Sequence, residues 1–218
     1  MSLIVKICGL STPETLDAAL AAGADMVGFV FFPPSPRHVS LEVARDLGRQ
    51  VKGRVKKVAL SVDADDALLA NSIDALQPDI LQLHGKETTA RLRDIKQKFG
   101  LPVMKAIAVE TRADLTALPG YADIADRILF DARAPRGATR PGGLGAAFDW
   151  HLLENLDLKL PFMVSGGLNA ANVAEAVRVT RAGVQRDAER LARGQAANFD
   201  DQGHGSTHGL GQRQQLWK

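Results

Sequence analysis

The feature that most constrains this 218-residue chain is an unbroken alternation of short aliphatic runs with stretches of helical periodicity. Runs rich in β-branched and aliphatic residues recur at 3–8, 26–31, 55–62, 79–84, 103–107, 127–131 and 162–165. Between them lie the helical stretches 13–22, 41–51, 64–76, 88–99, 112–118, 148–156 and 172–179, the first with Ser11 and Thr12 as cap candidates. Such alternation demands parallel strands joined by right-handed crossovers, and continuously apolar strands demand a helix layer packed against them. Seven units in so short a chain favour an α/β fold closed as a (β/α)8 TIM barrel. An open doubly wound sheet remains the competing arrangement, because alternation alone does not prove closure.

Composition narrows the function classes. Apolar residues at 45% and charged residues at 24% leave ample material for one hydrophobic core and argue against a disordered chain. A net charge of +2 gives no electrostatic footprint for nucleic acid or an anionic membrane, so an acidic partner is expected to be a small molecule. The N-terminus MSLIVKICGL lacks the basic region and cleavage site of a signal peptide, and no apolar run reaches about 18 residues; a cytoplasmic location is expected. The single cysteine, Cys8, excludes an internal disulfide and a multi-cysteine metal site. His204 and His208 lie four apart between glycines with no third ligand evident, so no metal is expected. Nothing in the pattern selects between a monomer and a homodimer.

In parallel barrels the chemistry sits where strands end and βα loops begin. The first strand ends in Lys6-Ile7-Cys8-Gly9, the fourth in Gln82-Leu83-His84-Gly85, the sixth in Phe130-Asp131-Ala132 and the seventh in Val164-Ser165-Gly166-Gly167. The two-residue period of a strand puts Lys6 with Cys8, Gln82 with His84, Leu129 with Asp131 and Met163 with Ser165 on common faces. Their neighbours Ile7, Leu83, Phe130 and Val164 are apolar and suit the helix layer. The polar set is therefore expected to point into the barrel mouth.

Six segments in order, KICGL, GFVFFPPSPRHV, LQLHG, LFDA, PGGLGAAFDW and VSGGLNAANV, resemble the phosphoribosylanthranilate isomerases of tryptophan biosynthesis over residues 3 to about 180. Each segment alone is weak, but each falls at or beside an expected strand end. The resemblance implies a (β/α)8 barrel that converts N-(5-phosphoribosyl)anthranilate to 1-(2-carboxyphenylamino)-1-deoxyribulose 5-phosphate by an Amadori rearrangement, with no metal or organic cofactor. It implies Cys8 as general base and Asp131 as general acid, with Arg37 against the anthranilate carboxylate and Lys6, Gln82 and His84 contacting substrate. A free thiol titrates near about 8.5, so a base at Cys8 calls for a cationic neighbour such as Lys6. A lone strand cysteine is otherwise more often a packed hydrophobe, and His84 more often a hydrogen-bonded core histidine. Gly166, Gly167 and Asn169 are candidates for a phosphate site, where bare backbone N–H groups and the following helix would face an anion. Gly142 and Gly143, with Gly145, are expected to close over the substrate and to join that phosphate site. Trp150 and Phe148 are read as core anchors.

The resemblance stops after Arg181. Residues 182–218 contain only Val184, Leu191, Leu210 and Leu216 as Val, Ile or Leu residues, with six Gly and six Gln. The expectation is a barrel domain over 1–181, its eighth strand and last helix missing or disrupted, and an atypical disordered segment over 182–218. A shifted reading frame would produce such a break, and a diverged tail is the alternative. Two rival functions follow. Another phosphate-binding barrel, a sugar-phosphate epimerase or the histidine-pathway isomerase, is disfavoured by the Cys8, Arg37 and Asp131 set. A non-catalytic or crippled phosphate-binding barrel is the reading if the phosphate cup is incomplete.

Overall fold

The computed structural model describes residues 3–51, 53–145 and 147–181, together with the backbone of 183–187, 198–199 and 205–206. Eight parallel strands run in sequential order around a closed barrel: β1 (Val5–Cys8), β2 (Met26–Phe31), β3 (Lys56–Ser61), β4 (Ile80–Leu83), β5 (Val103–Val109), β6 (Arg127–Ala132), β7 (Phe162–Val164) and β8 (Gly183–Asp187). The intervening helices are α1 (Pro13–Ala21), α2 (Leu41–Val51), α3 (Asp66–Leu76), α4 (Thr89–Phe99), α5 (Leu118–Ala122) and α6 (Val173–Thr180).

The helix starts follow from local chemistry. Thr12 caps α1 by accepting from the Thr15 amide at 3.3 Å, with Pro13 in the first turn. Asp65 accepts from the Leu68 amide at 2.8 Å and Thr88 from the Arg91 amide at 3.2 Å, so α3 and α4 begin where an orphan N–H finds a side-chain oxygen. Two expected helices are shorter than their periodicity. The 112–118 stretch splits into a 3-10 turn, Arg112–Leu115, and α5, because Pro119 has no N–H to donate to the Leu115 carbonyl four residues back, so the ladder breaks and a helix restarts with the proline in its first turn. The 148–156 stretch is a single 3-10 turn, Trp150–Leu153, after which Glu154 is extended and Asn155 lies in the left-handed region at φ 56°.

The apolar residues sort into two layers as the strand period requires. Ile7, Leu83, Phe130 and Val164 join residues of the helices, such as Leu16, Leu47, Leu69, Leu92 and Val173, in the main core. A second cluster, Met26, Val58, Ile80, Met104, Ala106, Leu129 and Met163, comes from strands alone and fills the barrel interior. A third, Cys8, Val30 and Leu60, caps that interior toward the mouth. Trp150 is buried in the main core and Phe148 packs against it.

One expectation is corrected. The eighth strand is present: Val5, Lys6, Ile7 and Cys8 pair with Val184, Gln185, Arg186 and Asp187, and Met163 and Val164 pair with Gly183 and Val184. Gly183–Asp187 carries one aliphatic residue, so it gives no apolar signal; what admits it is the backbone ladder offered by two flanking strands. The barrel therefore extends past residue 181. The expected loss of the last helix, and the disorder expected from residue 188 onward, fall outside the described residues, except that Asn198–Phe199 and Gly205–Ser206, which are described, pair antiparallel. His204 and His208 also lie outside them.

Candidate active site

The inward polar residues are brought together. Lys6, Gln82, Asp131 and Ser165 are buried, as is Cys8 at 1% exposure. Gln82, His84, Asp131 and Ser165 form a continuous hydrogen-bonded row across the mouth. Gln82 Nε2 lies 3.0 Å from His84 Nδ1, and His84 Nε2 lies 3.1 Å from Asp131 Oδ2. The other Asp131 oxygen accepts from Ser165 Oγ at 2.5 Å and from the Ala132 amide at 3.0 Å. Four strand ends, those of β4, β6 and β7 in this row and β1 at Cys8, thus converge on one cleft.

Cys8 and Lys6 share the space over Gly28 of β2. A Cβ at residue 28 would stand 2.8 Å from Cys8 Sγ, closer than real side-chain contacts allow, and 3.0 Å from Lys6 Nζ, tighter than most. A glycine inside a strand marks such a close approach, and Gly28 is the signal that the sequence reading passed over. Gly9 then turns the chain out of β1 at φ 84°, its amide donating to the Gly28 carbonyl at 2.9 Å. That conformation suits glycine, and the vacant Cβ position holds the Arg37 side chain, whose Cδ would be 2.5 Å away.

Arg37 reaches the cleft from a tightly wound loop after β2. The Arg37 amide donates to Ser35 Oγ at 3.2 Å, and the Phe32 amide donates to His38 Nδ1 at 3.1 Å. Its guanidinium lies against Gly143, and a Cβ there would overlap it. Gly142 packs in the same way over the His84–Asp131 contact, its missing Cβ leaving room for Asp131 Oδ2 and, at 3.0 Å, for His84 Nε2. The loop after β6 therefore covers Arg37, His84 and Asp131 directly.

The resulting cleft has a volume of about 420 Å³ including its open mouth, and Cys8, Arg37, His84, Asp131, Arg140 and Ser165 all line it. A smaller adjoining cleft of about 190 Å³ is lined by Asp131, Gly142, Gly143, Gly145 and Gly166 among others. Gly142 and Gly143 thus belong to both. Gly166 and Gly167 have φ of 85° and 63°. Gly167 and Asn169 line neither cleft. The Gly167 carbonyl accepts from Asn169 Nδ2 at 3.3 Å and Asn172 Nδ2 at 3.1 Å, and Asn169 Oδ1 accepts from the Ala171 amide. Asn169 is accordingly engaged in shaping the turn that leads into α6.

A second buried assembly braces the turn after His84. Glu87 accepts from the Gly85 amide through both oxygens, at 3.1 and 3.0 Å, and from the Asp63 amide at 3.0 Å. Lys105 Nζ pairs with Glu87 at 2.8 Å and donates to the Gly85 carbonyl at 2.7 Å, and both side chains are almost wholly buried. Tyr121 donates its hydroxyl to the Glu87 carbonyl at 3.0 Å. The isolated Lys105, lodged in an apolar β5, was the available sequence signal for this clasp. Among the described residues no cluster of three or more His, Cys, Asp or Glu could hold a metal ion, and no helix is long and apolar enough to cross a membrane.

Comparison with known proteins agrees with this geometry. Residues 5–186 match the family model described as N-(5'phosphoribosyl)anthranilate (PRA) isomerase, which ends one residue before the end of β8. The N-(5'-phosphoribosyl)anthranilate isomerase of Bradyrhizobium diazoefficiens is 79% identical over 183 residues, covering 84% of this chain and 82% of the relative. That of Nitrobacter hamburgensis is 71% identical over 183 residues, covering 84% and 81%. The crystal structure of phosphoribosyl anthranilate isomerase from Thermotoga maritima superposes with a TM-score of 0.75 at 32% identity, over 85% of this chain and 87% of that one. A phosphoribosyl anthranilate isomerase in complex with reduced 1-(o-carboxyphenylamino)-1-deoxyribulose 5-phosphate superposes with a TM-score of 0.72 at 31% identity, over the same shares. The chain belongs to the N-(5'-phosphoribosyl)anthranilate isomerase family, the isomerases of tryptophan biosynthesis.

Proposed function

We propose that this barrel carries out the Amadori rearrangement of N-(5-phosphoribosyl)anthranilate with Cys8 as general base and Asp131 as general acid. The carrying observation is that Cys8, Asp131 and Arg37 line one cleft at the strand ends, with Asp131 in direct hydrogen-bond contact with His84 and Ser165. In the first step Asp131 delivers a proton to the furanose ring oxygen; the C1′–O bond breaks and the aryl nitrogen lone pair forms the iminium. Cys8 thiolate then removes the C2′ proton, and those electrons give the enolamine, which tautomerises to the aminoketose. No redox partner or cofactor is needed, since product and substrate are isomers.

The substrate has two anionic ends, which orient it. Arg37, held between Gly9 and Gly143, takes the anthranilate carboxylate through its planar fork. Gly142 and Gly143 cover the reacting centre, while Gly166 and Gly167 and the start of α6 lie toward the phosphate end. Lys6 supplies the positive charge beside Cys8; Gln82 and His84 act through Asp131.

A steady-state assay with substrate generated in situ tests this reading. Cys8→Ala and Asp131→Asn should each lower kcat by about 10² to 10⁴, the usual contribution of a positioned acid or base, with unchanged far-UV circular dichroism. Near wild-type kcat in either variant would remove that residue from the chemistry.

A further inference from the structure

Arg140 stands in the long loop after β6 and lines the same cleft as Cys8, Arg37 and Asp131. Its Nε is buried and has no hydrogen-bond partner among the described residues. Its Nη2 makes one long contact, 3.4 Å, to the Gly143 carbonyl. The other guanidinium of the cleft, Arg37, lies against the same Gly143 from the side of β1. Among the described residues lining the cleft the one carboxylate, Asp131, is already engaged by His84, Ser165 and the Ala132 amide.

A buried N–H without an acceptor is costly, and pairing it with an oxygen is correspondingly favourable. The Nε–H and Nη2–H edge of arginine is the one that matches both oxygens of a carboxylate. Two guanidinium groups flanking one glycine form a pair suited to a single planar anion between them. We propose that Arg140 is a second specificity-determining residue, which with Arg37 clamps the aryl carboxylate of the substrate. This rests on the isomerase reading above. Gly166, expected toward the phosphate, faces the adjoining cleft, where Arg140 takes no part.

The test is calorimetric binding of two stable ligands: reduced 1-(o-carboxyphenylamino)-1-deoxyribulose 5-phosphate and its counterpart lacking the carboxylate. Arg140→Met should weaken the first by about 10- to 150-fold, the range for a hydrogen bond to a charged group, and the second by less than about 2-fold. Arg140→Lys, which keeps charge but loses the fork, should fall between. In turnover, KM should rise with kcat nearly unchanged. Equal weakening of both ligands overturns the assignment, and parallel weakening of inorganic phosphate binding would place Arg140 at the other end of the substrate. Failure of the wild-type chain to bind either ligand would instead overturn the isomerase reading itself, and this proposal with it. Thermal melts of both variants separate lost binding from lost folding.

Discussion

His84 Nε2 lies 3.1 Å from Asp131 Oδ2, and this contact has two proton arrangements that Gln82 must follow. With the Gln82 amide nitrogen 3.0 Å from Nδ1, the histidine carries its proton on Nε2 and donates to an Asp131 carboxylate. When the proton sits on Asp131, the bond reverses and Nδ1 must donate instead. The acceptor available is Gln82 Oε1, which is buried and without a partner among the described residues in the present amide orientation. Gln82→Met should therefore lower kcat by about 2- to 12-fold, the equivalent of one ordinary hydrogen bond, with little effect on KM because Gln82 does not line the cleft. An unchanged kcat would detach Gln82 from the proton network.

Gly28→Ala should impair the enzyme without touching substrate. The added methyl collides with Cys8 Sγ and Lys6 Nζ, and overpacking of this kind costs about 1–3 kcal/mol. The expected result is a fall in kcat of at least tenfold together with a slower reaction of Cys8 with a thiol-directed alkylating agent. Unaltered alkylation would mean that the strand shifts to absorb the methyl.

Removing one member of the buried clasp should destabilise the barrel. Lys105→Met leaves the Glu87 carboxylate buried without its cation, a change that typically costs about 3–5 kcal/mol. The midpoint of urea unfolding reads this directly. A loss below about 1 kcal/mol would show that the Gly85 and Asp63 amides alone satisfy Glu87.

Tyr121 is the single tyrosine of the chain, so the rise in absorbance near 295 nm on tyrosinate formation follows it alone. Burial, and secondarily the negative charge of Glu87, push its hydroxyl above the usual tyrosine value. Because the neutral form is favoured in the folded state, this contribution to stability is complete below the unfolded value of about 10. It is lost as pH rises through the higher folded value. Tyrosinate formation in the native protein should thus lag that in the urea-unfolded chain, and Glu87→Gln should narrow the gap.

Much of this was legible in the residues themselves. The seven apolar strands, their inward polar positions and the Cys8, His84 and Asp131 ends followed from a period of two and from the placing of glycines after strands. What escaped had physical reasons. The clasp of Glu87 and Lys105 joins residues on separate elements, and no local pattern announces a pair that distant. Arg140 sits in a loop without periodicity, where a cleft-facing arginine and a solvated one read alike. Gly28 was visible but its meaning depended on which side chains of β1 face it. The 3-10 turn at Trp150–Leu153 was overread because hydrophobic spacing reports which side is buried, and not whether Glu154 and Asn155 let a helix continue.

Strand β8 has a consequence for the order in which the barrel is assembled. Its pairing with β1 joins residues 5–8 to residues 184–187, almost the full separation that the described barrel contains. Each earlier strand pairs with a neighbour laid down a few dozen residues before it, whereas this pairing must draw the two ends of the barrel together against the largest loop-closure entropy. With so little apolar surface in its sequence, Gly183–Asp187 offers no early hydrophobic reward for that closure. Ring closure is accordingly the late event, and substitutions in β8 act on how fast the finished barrel opens rather than on how fast the first seven strands collapse.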